Sequence, residues 1–327
     1  MSLVVLLALV MFAALVAYAV LAGADFGAGI WDLIARGERR AAHRAALAKA
    51  IGPVWEANHV WLIFLVVLLF TCFPAAYAQA SVALFWPLHL VLIGIVLRGA
   101  AYVFRAYAAG SDATRDAWGH VFGASSALTP ILLGMCLGAL STGDPYQWYE
   151  PFPVATGVLA LLICAYLAAV YLAWETRDAQ LRDDFRRRAL AIWWVAGIAS
   201  IAVLLLARSE ASRLWAGLTS TPGVLFIAAG SALAPISFLA LRGRRFNLAR
   251  YTCVAQIVAL LAGWAAAQWP YLIYPDVTVT NAAAPPSTLA LTAWTLPFGF
   301  AALLPSLWFL FRVFKSPRAG DAQSQVQ

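Results

Sequence analysis

Residues 51–64, IGPVWEANHVWLIF, set a glutamate, an asparagine and a histidine at the mouth of an apolar run that continues to residue 73. Lipid is a poor solvent for all three. An ionised acid at the centre of a membrane helix costs roughly 2.5–3.5 kcal/mol on insertion scales, so such groups face a protein interior or a water path. Glu56, Asn58 and His59 are therefore the first candidates for chemistry, and the stretches around them decide the architecture.

Working outward, apolar runs recur at about 3–22, 54–73, 81–103, 120–140, 152–174, 189–207, 223–241, 252–270 and 290–314. Most approach the ~20 residues needed to cross the hydrocarbon. The chain is 327 residues long, 63% hydrophobic and 11% charged, with a mean hydropathy of +0.81. Soluble domains carry about 25% charged residues, so the composition excludes a soluble enzyme and points to a polytopic membrane protein. The reading is one all-α domain over 1–315, with nine transmembrane helices and a disordered tail over 316–327.

The net charge of +7 would suggest nucleic acid in a soluble protein, but its placement points elsewhere. Of the 22 Lys and Arg residues, 20 fall on alternate connections, and only Arg208 and Arg213 lie on the other side. The positive-inside rule then predicts an exterior N-terminus and a cytoplasmic C-terminus. The first run has no basic segment before it, which suits a retained helix better than a cleaved signal. The basic, Ala-rich stretch 36–49, RGERRAAHRAALAK, is expected to lie as a helix against anionic lipid. In the exterior connection 269–289, prolines at 270, 275, 285 and 286 disfavour a regular helix.

Cys72, Cys136, Cys164 and Cys253 stand singly in or beside apolar runs, without the clustered spacing of a zinc or iron–sulfur site. They read as small packing residues. His59 and His89 are expected ~12 Å apart in membrane depth, too far to sandwich one haem iron. His120 and His43 have no ligand signature, so no metal or haem is expected on this chain. Asp25 and Asp32 sit in AGADFGAGIWDLI, whose glycines allow a bend or a close helix approach. They read either as interfacial acids at a helix end or, for Asp25, as part of a proton path. Glu56 could serve as a first-turn acid behind Pro53, but Trp55, Asn58, His59 and Trp61 give it polar–aromatic company. Arg98, within LIGIVLRGAAYVF, needs an anionic partner or must snorkel to the surface; Arg105 reads as a topology charge near water.

Four blocks together carry a family resemblance: GADFGAGIWDL (23–33), IGPVWEANHVWLI (51–63), LRGAAYVFR (97–105) with GASSALTPILLGMCLG (123–138), and WPYLIYPDVTVTNAAAPPSTL (269–289). The chain resembles subunit II of the cytochrome bd family of quinol oxidases, especially the branch often termed cyanide-insensitive. The first block is similar to that family's D-G-F-D-x-G-x-G and the second to its I-x-P-x-W-D-G-N-x-V-W-L. The resemblance implies a multi-pass subunit in the bacterial inner membrane, paired with a homologous subunit I. That partner would carry haems b and d, or b-type haems only, and small accessory subunits often join. The assembly would oxidise quinol at the outer face and reduce oxygen to water with protons drawn from the cytoplasm. It implies no cofactor bound by this chain, and leaves a bound quinone or lipid open.

In family terms Glu56 stands where an aspartate linked to proton delivery is usual, and Asp25 matches the second acid of the first block. The proton path is therefore expected to involve Glu56, Asp25, Asn58 and His59, with Trp55, Trp61 and Arg98 in structural or partner contacts. The sequence departs from the pattern at Ala22, which replaces the first acid, and at Glu56-Ala57, where the family has Asp-Gly. Two other readings compete: a proton-coupled transporter, which would show repeat-related helix breaks at the midplane, and a purely structural membrane subunit.

Overall fold

The computed structural model describes the backbone of residues 2–37, 39–107 and 112–315; side chains at 48–57, 106, 107, 112, 311 and 313–315 fall outside the description. Eleven helices and one small hairpin follow in chain order. They are α1 (Leu3–Leu33), α2 (Arg40–Cys72), α3 (Pro74–Ala83), α4 (Phe85–Tyr107), α5 (Asp112–Ala139), α6 (Pro151–Glu175), α7 (Ala179–Glu210), α8 (Ser212–Leu218), α9 (Thr221–Arg242), α10 (Phe246–Gln268), β1 (Tyr271–Ile273), β2 (Val277–Thr278) and α11 (Pro286–Lys315). Among the described residues, eight helices are individually long and apolar enough to span a membrane. A ninth span results when Asn58–Cys72 is joined with α3, which turns away from it by 116° after Phe73. The tail 316–327 lies outside the described residues.

Local chemistry sets many of the boundaries. The Ser2 side chain accepts the Val5 amide at the start of α1, and Asp178 accepts Leu181 N at 2.8 Å to open α7. Proline stands in the first turn of α3, α6 and α9, where its missing N–H removes no helical hydrogen bond. Apolar side chains such as Ile198, Ile201 and Leu205 on α7, and Trp294, Phe298 and Phe309 on α11, point outward. Such surfaces suit hydrocarbon.

One expectation changes. The block 23–33 is not a connection after the first span: α1 runs unbroken through it to Leu33. Its glycines are used for close packing, α1 lying against α5 and α6. The basic stretch 36–49 is helical from Arg40 onward, and this helical part is continuous with the second span in α2. Arg39, Arg40 and Arg44 of this stretch meet carboxylates of this chain, as described below.

The core has α1 at its centre, bordered by α2, α5 and α6; α4 packs on α5, and α6 leads to α7 and to the α9–α10 pair. The connections gather at two ends. One end joins Arg39 to Asp184, Arg40 to Asp116 and Arg244 to Asp183, so the basic connections of the sequence converge there. At the other end Glu210 accepts the Phe152 amide, Arg213 donates to the Trp269 carbonyl, and Ala284 N donates to Cys72 O. Leu7, Phe73 and Ile273 share a buried cluster there. The proline-rich 269–289 forms the hairpin β1–β2 rather than a helix until α11 begins at Pro286. All four cysteines are free and buried.

Candidate functional site

Asp25 and Asp32 lie seven residues apart on α1, two turns and ~10.5 Å, and therefore on one face. Arg98 and Arg105 repeat that spacing on α4. The two pairs engage in matching register: Arg98 Nη2 lies 2.5 Å from Asp25 Oδ1, and Arg105 Nη1 lies 2.6 Å from Asp32 Oδ2. Both acids are about 2% exposed or less.

The inner pair is wholly enclosed. Arg98 is 2% exposed, donates from Nε to Ser126 Oγ at 2.8 Å, and rests between the Phe26 and Phe122 rings at 5.2 and 4.7 Å. The second oxygen of Asp25 accepts Asn58 Nδ2 at 2.7 Å. Thus one carboxylate ties α1 to α2 and α4, and its arginine extends the tie to α5. Two further polar atoms, Tyr18 Oη and Asn58 Oδ1, are buried without a hydrogen-bond partner among the described residues.

The outer pair opens into a ladder at the arginine-rich end. Arg44 lies 3.2 Å from Asp32 and 2.7 Å from Asp116, which also takes Arg40 at 3.0 Å. Arg105, read from sequence as a topology charge, is instead a partner of a buried acid. A sequence signal for this existed: each acid–arginine pair is separated by 73 residues.

The structure brings Asp25, Asn58 and Arg98 into contact. Arg98 finds its anion within the chain rather than at a surface. Trp61 is partly buried, stands edge-on to Phe64, and packs against the cluster of Tyr18, Ala22, Phe26 and Cys164. His59 is partly buried one residue beyond Asn58. Trp55 and Glu56 lie on α2, but their side chains are outside the described residues.

The histidines make no shared ligand set. His43 is buried against Asp184 at 3.2 Å, while exposed His89 and His120 each point Nδ1 at a carbonyl of their own helix. Among the described residues no group of three or more His, Cys, Asp or Glu side chains could hold a metal ion.

These features define a multi-pass membrane subunit with a buried ladder of ion pairs. Comparison with known proteins is more specific. The family model for cytochrome bd terminal oxidase subunit II matches residues 3–314, and the chain belongs to that family. A putative cytochrome bd menaquinol oxidase subunit II of Bacillus subtilis is 26% identical over 323 residues, covering 91% of each protein. Subunit 2 of the cytochrome bd-I ubiquinol oxidase of Escherichia coli K12 is 26% identical over 177 residues, 50% of this chain and 46% of that one. In a solved bd oxidase from Geobacillus thermodenitrificans, one chain superposes with a TM-score of 0.77 at 22% identity, covering 96% of this chain and 99% of that chain. The protein is thus a multi-pass member of an oxidoreductase complex of the bacterial inner membrane, and membership as subunit II implies a subunit I partner.

Proposed function

We propose that this chain is the haem-free subunit II of a quinol:oxygen oxidoreductase, holding a haem-bearing subunit I and supplying a cytoplasmic proton-uptake path to it. The observation that carries the reading is the buried Asp25–Asn58–Arg98 cluster, two residues along α2 from Glu56. Both Asp25 oxygens are occupied, one by Arg98 and one by Asn58. Asp25 therefore acts as a positioning residue that fixes α2 against α1. Glu56 is left as the group that exchanges protons with water, and Tyr18 Oη and Asn58 Oδ1 offer buried sites to bridging water. His59 stands beside this path. The haems of subunit I would supply the oxygen chemistry, and this chain contributes the route and the frame. The relatives' names include both menaquinol and ubiquinol, so either quinol is compatible with the frame.

The experiment is to purify the chain with its co-eluting subunits, record a reduced-minus-oxidised spectrum and measure oxygen uptake with quinol. Haem in the partner and quinol-dependent uptake are expected; their absence overturns the oxidase reading. In the same preparation Glu56→Gln is expected to slow turnover by about 10²-fold or more, the scale of a lost proton-transfer group, with haem content unchanged. Unchanged turnover would return Glu56 to a first-turn structural acid, and lost assembly would favour a purely structural subunit.

A further inference from the structure

The arginine-rich end holds a cleft outside the ion-pair ladder. It measures about 390 Å³ and lies between the α1–α2 connection, the first turn of α2 and the start of α7. Arg36, Arg39, His43, Asp184, Arg187 and Arg188 line it. Four guanidiniums thus share the cleft with one carboxylate.

That carboxylate is shared by two basic side chains of this chain at ion-pair distance, although its Oδ2 makes no hydrogen bond among the described residues. Asp184 takes Arg39 at 2.9 Å and His43 at 3.2 Å, and Arg187 turns to Asp183 at 2.9 Å. Arg188 has no carboxylate at ion-pair distance among the described residues. Its guanidinium lies over the Trp31 and Phe185 rings at 5.1 and 5.5 Å, and its Nη1 is buried without a hydrogen-bond partner among the described residues. A buried donor left unmatched on a charged group is costly. Arg36 is exposed at the rim, and Glu38 of the same connection lies outside the described residues.

Several guanidiniums lining one space suit the tetrahedral oxygens of a phosphate better than a single carboxylate. The surroundings identify what carries the phosphate. From Arg187 the same face of α7 continues through Trp194, Ile198, Ile201 and Leu205, all more than half exposed. A headgroup in the cleft would therefore lay its acyl chains along a prepared apolar row, and basic pockets between membrane helices recruit anionic lipid in this manner.

We propose that this cleft is a binding site for the phosphate of an anionic phospholipid, with Arg36 and Arg188 as the guanidiniums that have no carboxylate at ion-pair distance among the described residues. The site is independent of the proton path, and its test does not use turnover. The detergent-purified complex is stripped of lipid and titrated with phosphatidylglycerol, phosphatidylcholine or inorganic phosphate, reading bound lipid by mass spectrometry and thermal unfolding. Wild type is expected to retain phosphatidylglycerol over phosphatidylcholine and to unfold at higher temperature with it. Arg36→Gln, at the exposed rim, is expected to weaken phosphatidylglycerol binding by about tenfold, as loss of one charge-assisted hydrogen bond does. Arg188→Lys, which keeps the charge and removes the fork, is expected to fall between. Equal retention of both lipids, or of phosphatidylglycerol by wild type and Arg36→Gln, overturns the proposal. Equal protection by inorganic phosphate alone overturns the lipid assignment.

Discussion

Arg98→Met is expected to destabilise the subunit by about 3–5 kcal/mol, the scale for breaking a buried ion pair by removing one partner, and to deplete the assembled complex from membranes. The reason is what remains. Asp25 would keep Asn58 but lose the guanidinium on its other oxygen, and a carboxylate 1% exposed is shut off from bulk water. Ser126 would lose its donor from Nε as well. Asp25→Leu should be similarly damaging, since it strands Arg98 between Phe26 and Phe122. Combining Asp25→Leu with Arg98→Met removes both charges and is expected to restore much of the stability, because apolar pairs of similar volume often replace buried ion pairs without loss. Thermal unfolding of the four proteins closes a double-mutant cycle. Additive losses in the cycle would show that the two residues act separately and would remove Asp25 from its positioning role.

The spans were legible in the sequence because lipid leaves few solutions: backbone polar groups must be satisfied within a helix, and charges must stay at the ends. Hence the apolar runs and the alternating arginines located the helices, and the arginine-bearing connections do converge at one end of the bundle. Boundaries were less legible. The first apolar run ends at about residue 22, and Gly23, Gly27 and Gly29 beyond it allow a bend, since glycine is a weak helix former. Packing against α5 and α6 holds the helix through them. The join between 36–49 and the second span was hidden for a similar reason: composition changes from polar to apolar within one continuous helix.

The site was legible residue by residue, but its pairings were not. Asp25, Asn58 and Arg98 each stood out as polar groups in an apolar setting. That Asp25 bridges the other two depends on how α1, α2 and α4 pack, at separations of 33 and 73 residues. Arg105 was assigned to the surface because it lies near a helix end, where snorkelling is easy. Its match to Asp32 follows only from comparing the seven-residue intervals on α1 and α4 as a register.

The same register depends on how closely α1 can approach its neighbours, and Gly27 is where this is tightest. A Cβ there would run into the carbonyl of Cys164 and the methyl of Ala168 on α6. At Gly29 it would meet Ser126 Oγ, the acceptor of Arg98. Backbone cannot yield as a side-chain tip can, so Gly27→Ala must push α1 from α6 or distort one of them. Overpacking of this kind costs about 1–3 kcal/mol, and Gly27→Val should exceed it. The shift would also be felt two residues away at Asp25, where an ion pair of 2.5 Å leaves little slack. Gly197 and Gly299 provide the contrast: both are helical, and a Cβ at either meets nothing within 4 Å among the described residues. Gly197→Ala and Gly299→Ala are therefore expected to leave assembly and thermal unfolding unchanged, while Gly27→Ala lowers both. If Gly27→Ala unfolds at the same temperature as those two, close approach of α1 and α6 is not what holds the buried pairs in register.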